Sequence, residues 1–291
     1  MEADDIIKHF DLPGTVQPVV TQLVHEEDGE PYQVWKLDCG GDMYLLKEAK
    51  EYEAELYRSI LPRVGGSVPA LYQTADIDGK TYLLMEFVEG SDLRECSRRK
   101  LTLALDALIC MQRATWGDMT LSGCAYTFEK SLKDREHRGK YLNDPELEAA
   151  YARFLDVYSS TPRALCHDDL LPFNVIVSED RAVLIDWEFA GLLPYPVSFA
   201  RLIAHGEDNE NAFFQMTQAD KAFAIDYYHD HLLKEMGIGY EEWRRTLEFF
   251  LFYEYCEWVF IGNKYEGANE EYYRKYLCLA KRQADKILRI S

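Results

Sequence analysis

The rhythm of apolar and polar positions changes near residue 90. Before it, short strands dominate: Val16 to Val24 and Tyr32 to Cys39 flank an E-E-D-G-E-P turn, and Gly40-Gly41 leads into Met43 to Ala49. β-Branched and aromatic side chains fill these runs, which is what a pleated, half-buried surface favours. Residues 51–64 switch to helical spacing, with Leu56, Tyr57, Ile60, Leu61 and Val64 on one stripe. Two further strands, Ala70 to Ala75 and Thr81 to Val88, meet at Asp76-Ile77-Asp78-Gly79-Lys80, where Asp-Gly tolerates the positive φ of a tight hairpin. The pattern predicts a five-stranded antiparallel meander with one helix after its third strand.

Beyond Glu89-Gly90 the period is mainly helical, with candidates near 102–116, 127–141, 145–160, 196–205, 217–236, 241–261 and 269–289. Only residues 163–188 break it. There the apolar pieces Ala164 to Cys166, Asn174 to Val177 and Ala182 to Ile185 surround a polar stretch, H-D-D-L-L-P-F-N. Strand ends inside a helical region hold reactive side chains rigidly. The expected class is α+β in two lobes, residues 1–88 and 89–291, which suits 291 residues at roughly 150 per compact unit.

Composition narrows the partners. Asp and Glu number 51 against 32 Lys and Arg, a formal charge of −19 that repels nucleic acid and anionic lipid surfaces alike. The seven cysteines are scattered and contain no C-x-x-C pair, which argues against a disulfide framework or a cysteine zinc site and for buried free thiols in a reducing compartment. The acidic start, MEADDIIKHFDLPG, lacks the basic flank of a secretory signal, so a cytoplasmic location is expected. Leu101 to Met111 and Phe249 to Ile261 are interrupted by Asp106, Glu254 and Glu257 and fall short of the ~20 apolar residues of a membrane span. Both read as core helices.

His167-Asp168-Asp169-Leu170-Leu171-Pro172-Phe173-Asn174 matches H-x-D-L-x-x-x-N, the kinase catalytic-loop pattern apart from its Arg. Asp186 closes an apolar strand beyond it, where a kinase presents its magnesium-binding Asp. Phosphoryl transfer to an alcohol asks a protein mainly to align the hydroxyl and neutralise oxygen charge. Asp169 is suited to orient that hydroxyl and take its proton, Asn174 and Asp186 offer the hard oxygens Mg2+ demands, and His167 fits a hydrogen-bonding brace. The competing reading makes Asp169 and Asn174 solvated loop residues and Asp186 a strand cap; the spacing weighs against it.

The first lobe offers an independent check. Lys47 ends the third strand in Y-L-L-K, the position from which a kinase lysine reaches the α- and β-phosphates and pairs with a helix glutamate. At 100° per residue Glu53 falls within the apolar stripe while Glu51 and Glu55 turn to solvent. A buried carboxylate is costly without a cation, so Lys47–Glu53 is the expected pair. The fifth strand runs into the change of texture, which puts an adenine edge near Glu86 to Val88 with Met85 behind it.

With these motifs in order, Y-L-L-K-E at 44–48, L-L-M-E-F-V-E-G at 83–90, H-D-D-L-L-P-F-N-V-I-V at 167–177 and L-I-D-W-E-F-A-G at 184–191, the chain resembles the aminoglycoside phosphotransferase and choline kinase family. The resemblance implies a protein-kinase-like fold, ATP or GTP with Mg2+, Asp169 as base, Asn174 and Asp186 as metal ligands. Three departures stand out. No G-x-G-x-x-G is present, and the loop over the phosphates, His25 to Pro31, is acidic; Gly237-Ile238-Gly239 reads as a helix cap. Ser198 stands where many relatives carry a further Asp. Asp168 replaces the Arg that receives an activation-loop phosphate, which disfavours a phospho-regulated protein kinase.

The acceptor is read from the helical half. Glu254 and Glu257, three apart beside Tyr253 and Trp258, offer paired carboxylates and rings to an amine or quaternary ammonium, with a solvated helix edge as the plainer alternative. An amine-bearing alcohol, aminoglycoside-like or choline-like, is therefore the leading acceptor. A nucleotide-binding pseudokinase and a kinase acting on protein are the alternatives.

Overall fold

The computed structural model describes residues 3–12, 17–24, 29–50, 52–123, 126–265 and 270–290. A short helix the pattern does not announce, α1 (Ala3–Ile7), comes first. Strands β1 (Val19–Val24), β2 (Pro31–Asp38) and β3 (Met43–Glu48) follow. Val16 and His25 to Asp28 lie outside the described residues, so the acidic loop expected over the phosphates is represented only by its end. The helix after β3 is irregular: α2 (Glu53–Glu55) passes through a π turn, Leu56–Ile60, into a 3-10 segment, Leu61–Ser67. Pro62 has no N–H for an α-ladder, and Gly65 takes φ 60 and ψ −137 in the tightened turn.

β4 (Leu71–Ile77) and β5 (Lys80–Glu86) complete an antiparallel sheet in the order β1-β2-β3-β5-β4. Asp78 and Gly79 turn between them with φ 49 and 79. β5 reads as a continuous apolar run because both its faces are buried: Tyr82 and Leu84 join Trp35, Leu37, Leu46 and the α1 residues Ile6 and Ile7, whereas Leu83 and Met85 join the main core. α1 thus covers the far side of the sheet.

The second half runs α3 (Arg98–Thr115), α4 (Phe128–Gly139), α5 (Pro145–Ser160), β6 (Arg163–His167), β7 (Val175–Val177), β8 (Ala182–Leu184), β9 (Ala190–Pro194), α6 (Pro196–Ala204), α7 (Gln218–Tyr228), α8 (Tyr240–Lys264) and α9 (Glu270–Arg289). β9 was not expected; its A-G-L-L-P is a fully buried strand antiparallel to β6. β7 and β8 form a separate hairpin. Not every thiol is buried: Cys166 and Cys256 are, Cys110 and Cys278 are exposed, and Cys124 lies outside the described residues. No described helix is long and apolar enough to cross a membrane.

The chain leaving β5 docks on β7, where Ser91 N–H donates to the Val177 carbonyl (3.1 Å) and Val177 N–H returns to Ser91 (2.8 Å). A Cβ at Gly90 would meet the Val177 carbonyl oxygen at 2.4 Å, so only glycine fits. Gly90→Ala is expected to cost about 1–3 kcal/mol through forced separation of the two segments. A thermal melt checks it, and an unchanged midpoint would show that the contact yields freely.

Candidate active site

β3 alternates, so Leu46 faces α1 while Lys47 faces the main core opposite Leu83. Lys47 Nζ lies 2.7 Å from Glu53 Oε1 and 2.7 Å from Asp186 Oδ1. Glu53 is wholly buried and Asp186 is 43% exposed in its side chain. Burial alone would push the Lys47 amine down, but the two carboxylates outweigh it and hold it above the usual lysine value. Asp186, likewise raised by burial but lowered more by Lys47, stays below the usual carboxylate range. It adopts a left-handed backbone, φ 63, just past β8. Glu55 is exposed as expected, and Glu51 lies outside the described residues.

The loop after β6 is tied at several points. His167 N–H donates to Ser198 Oγ (2.8 Å), so Ser198 braces the strand end where the family resemblance leads one to expect an aspartate. Asp169 N–H donates to His167 Nδ1 (3.2 Å), which leaves Nε2 to carry the ring proton and donate to the Ile185 carbonyl (2.7 Å). Burial holds this imidazole below its ordinary pKa and therefore neutral. Asn174 Nδ2 donates to the Asp169 carbonyl (2.8 Å), and Ile185 N–H to the Asn174 carbonyl (3.0 Å). That last bond sets Asn174 beside the residue preceding Asp186. The two side-chain oxygens fit a cation such as Mg2+, which takes few protein ligands and fills its remaining positions with water and phosphate oxygens.

Two arginines that the sequence reading passed over complete the loop. Arg201 reaches Asp169 Oδ1 with Nε (3.2 Å) and Nη2 (2.7 Å), and Glu254 Oε2 with Nη1 (2.9 Å). Burial opposes its charge, but Glu254 and Asp169 more than restore it. A lone arginine in P-V-S-F-A-R-L-I-A was the available signal, because a cation in a helix otherwise apolar but for Ser198 needs buried counter-charge. Arg135, 1% exposed, lies 4.6 Å from the ring centres of both Tyr158 and Tyr253 and bonds Asp168 at 2.6 Å. No such signal marks Arg135 in its polar helix.

At the other end of the sheet Met85 is buried. Glu86 N–H donates to the Ala70 carbonyl (2.8 Å), and the Glu86 carboxylate accepts from Arg181 and from Ala70 N–H (3.2 Å). β5 stops at Glu86, so Val88 lies in the connection rather than in a strand.

Asp169 opens on a cavity of ≈ 460 Å³ that also exposes Tyr52, Tyr126, Phe189 and Glu257, with Lys130 Nζ donating to Tyr52 Oη (3.2 Å). The expected acceptor set is only partly brought together here. Glu254 and Glu257 line the cavity, but Glu254 is not a free anion: Arg201 and His205 Nε2 (3.2 Å) occupy its Oε2, and despite burial they hold it below the usual carboxylate range. Trp258 does not reach the cavity. It stacks on Tyr272 and Tyr276 at 5.6 and 5.4 Å, because its position on α8 turns it toward α9. Glu257 bonds Arg138 through Oε2, while its Oε1 is buried without a hydrogen-bond partner among the described residues.

A sequence model described as the phosphotransferase enzyme family matches residues 44–231. Protein LicA of Haemophilus influenzae is 25% identical over 131 residues, 45% of this chain and 46% of LicA, so the match spans about half the length of that curated relative. Among solved structures, choline kinase from Cryptosporidium parvum Iowa II superposes with a TM-score of 0.63 at 14% identity, covering 99% of this chain and 96% of that one. A thermostable mutant of the aminoglycoside phosphotransferase APH(4)-Ia, in ternary complex with AMP-PNP and hygromycin B, gives 0.56 at 14% identity, covering 98% and 97%. These likenesses place the fold among the protein-kinase-like phosphotransferases. Matched across well over half its length, the chain belongs to the phosphotransferase enzyme family.

Proposed function

We propose that the protein is a small-molecule kinase that moves the γ-phosphoryl of ATP or GTP to a hydroxyl of an amine-bearing alcohol. The observation that carries this reading is the convergence of Lys47, Glu53 and Asp186 near a loop whose Asp169 opens on a ligand-sized cavity. Residues 1–88 serve as the nucleotide lobe and 89–291 as the acceptor lobe. The base lies against Met85 and the backbone of Glu86 to Val88, and Lys47, fixed by Glu53, meets the phosphates. Asn174 and Asp186 hold Mg2+, which supplies positive charge to the phosphate oxygens. With Arg201 occupying Oδ1, Asp169 presents Oδ2 to the acceptor hydroxyl and takes its proton as the new O–P bond forms and the bond from the γ-phosphorus to the β–γ bridging oxygen breaks, releasing the nucleoside diphosphate. Glu257 Oε1, which has no hydrogen-bond partner among the described residues, calls for an N–H or O–H donor, and Phe189 gives an ammonium group an aromatic face, whereas Lys130 already stands over the rings of Tyr52 and Tyr126.

ADP release across a panel of aminoglycosides, choline-like amines, sugars and amino-acid alcohols tests the reading, with turnover expected for amino alcohols. Labelled phosphate passing to polypeptide in preference to all of these would refute it. Asp186→Ala is expected to abolish magnesium-dependent nucleotide binding, because the substitution removes one of two cation ligands. Unchanged magnesium–ATP affinity in a titration of that variant would overturn the metal assignment.

A further inference from the structure

A second cavity, ≈ 520 Å³, lies among α6, α7, α8 and α9 and shares no lining residue with the first. Ile203, Ile225, Leu251 and Leu279 give it apolar walls. Its charge runs against that of the chain: Lys221, Arg244, Lys275, Arg282 and Lys286 face only Glu207, Asp208 and Glu248, in a protein of formal charge −19. Those three carboxylates are engaged. Glu207 accepts from Lys275 (2.6 Å), Glu248 from Gln283 and Lys286, and Asp208 from Gln218 N–H (3.5 Å). Among the described residues Lys221, Arg244 and Arg282 have no carboxylate partner. Three cations without an ion-pair partner, of which Lys221 feels Glu207 only at longer range, lie above an apolar floor and match a doubly charged head on an apolar body better than they match a single carboxylate.

We propose that this cavity is a binding site for a small organic phosphate monoester, its dianion held by Lys221, Arg244 and Arg282 and its apolar part seated on Ile203, Ile225, Leu251 and Leu279. The site stands apart from the phosphotransfer reading, although a phosphate monoester is also the chemical class of that reaction's product. Burial pushes the Lys221 amine down to about 8; Glu207 opposes the shift and Lys275 adds to it. An anion seated there restores the proton, so binding and protonation are linked.

Titration calorimetry with phenyl phosphate, run on the full chain with magnesium–ATP saturating, tests the proposal. Lys221→Ala and, separately, Arg282→Ala are each expected to weaken binding about tenfold, the scale of one lost charge-assisted hydrogen bond. Arg282 is exposed, so its variant keeps the fold, and an unchanged thermal midpoint confirms that. Affinity should fall several-fold between about pH 7 and pH 9 as Lys221 loses its proton, since the ligand is already a dianion across that range. Inorganic phosphate should bind more weakly for want of the apolar contact. No heat from phenyl phosphate, or heat unaltered in both variants, would overturn the assignment, and equal affinity for inorganic phosphate would overturn the apolar half of it.

Discussion

Asp169→Asn should lower kcat by about 10²–10⁴-fold, the range a positioned general base contributes, and leave nucleotide binding unchanged. Asparagine keeps an oxygen for the Arg201 fork, so the loop retains its bond to His167 and those from Asn174 and Arg201, and the fold should not suffer. What disappears, on the proposed function, is the group that takes the acceptor proton. Steady-state kinetics with a thermal melt as control separates the two effects. A variant that turns over within about threefold of wild type would remove Asp169 from the chemistry altogether.

Arg201→Met should be costly in a different way. It strips Oδ1 of Asp169 of two donors and leaves Glu254, 2% exposed, with only a hydrogen bond from His205, whose imidazole burial holds below its ordinary pKa. Removing one partner of a buried pair costs about 3–5 kcal/mol, and because the Arg201 side chain is 19% exposed the lower end is expected. In a chain of this size, at about 2.1 cal/mol/K of unfolding entropy per residue, that is a fall of about 5 °C in the thermal midpoint. The double variant Arg201→Met with Glu254→Leu removes the orphaned carboxylate and should recover most of the stability. Turnover should stay low in both, since Asp169 is unheld in both. If the double variant regains full kcat, Arg201 serves the fold alone.

What was legible in the sequence follows the range over which each signal acts. The strands, the Asp78-Gly79 hairpin and the H-x-D-L-x-x-x-N loop are local patterns, and the structure shows them within a few residues of their expected bounds. The Lys47–Glu53 pair was accessible too, because a carboxylate on an apolar stripe demands a cation. β9 escaped because a buried five-residue apolar run shows no alternation, and α1 because five residues are too few to display a period. Trp258 was misplaced for a geometric reason: spacing along α8 fixes which residues share a face, but not whether that face meets the cavity or α9. Arg135 and Arg201 lie 33 and 32 residues from the aspartates they hold, beyond any local pattern.

Tyr276 on α9 donates to His205, His205 to Glu254, and Glu254 receives the same guanidinium that grips Asp169. Since α9 is the last described helix to leave the ribosome, this relay closes only once translation has passed it. A nascent chain can have β6, β7 and β8 in register, and Arg201 within reach of Asp169, before α9 is available to the far end of that relay. Among the described helices, the element that closes the far end of the relay behind Asp169 is therefore also the last to be synthesised.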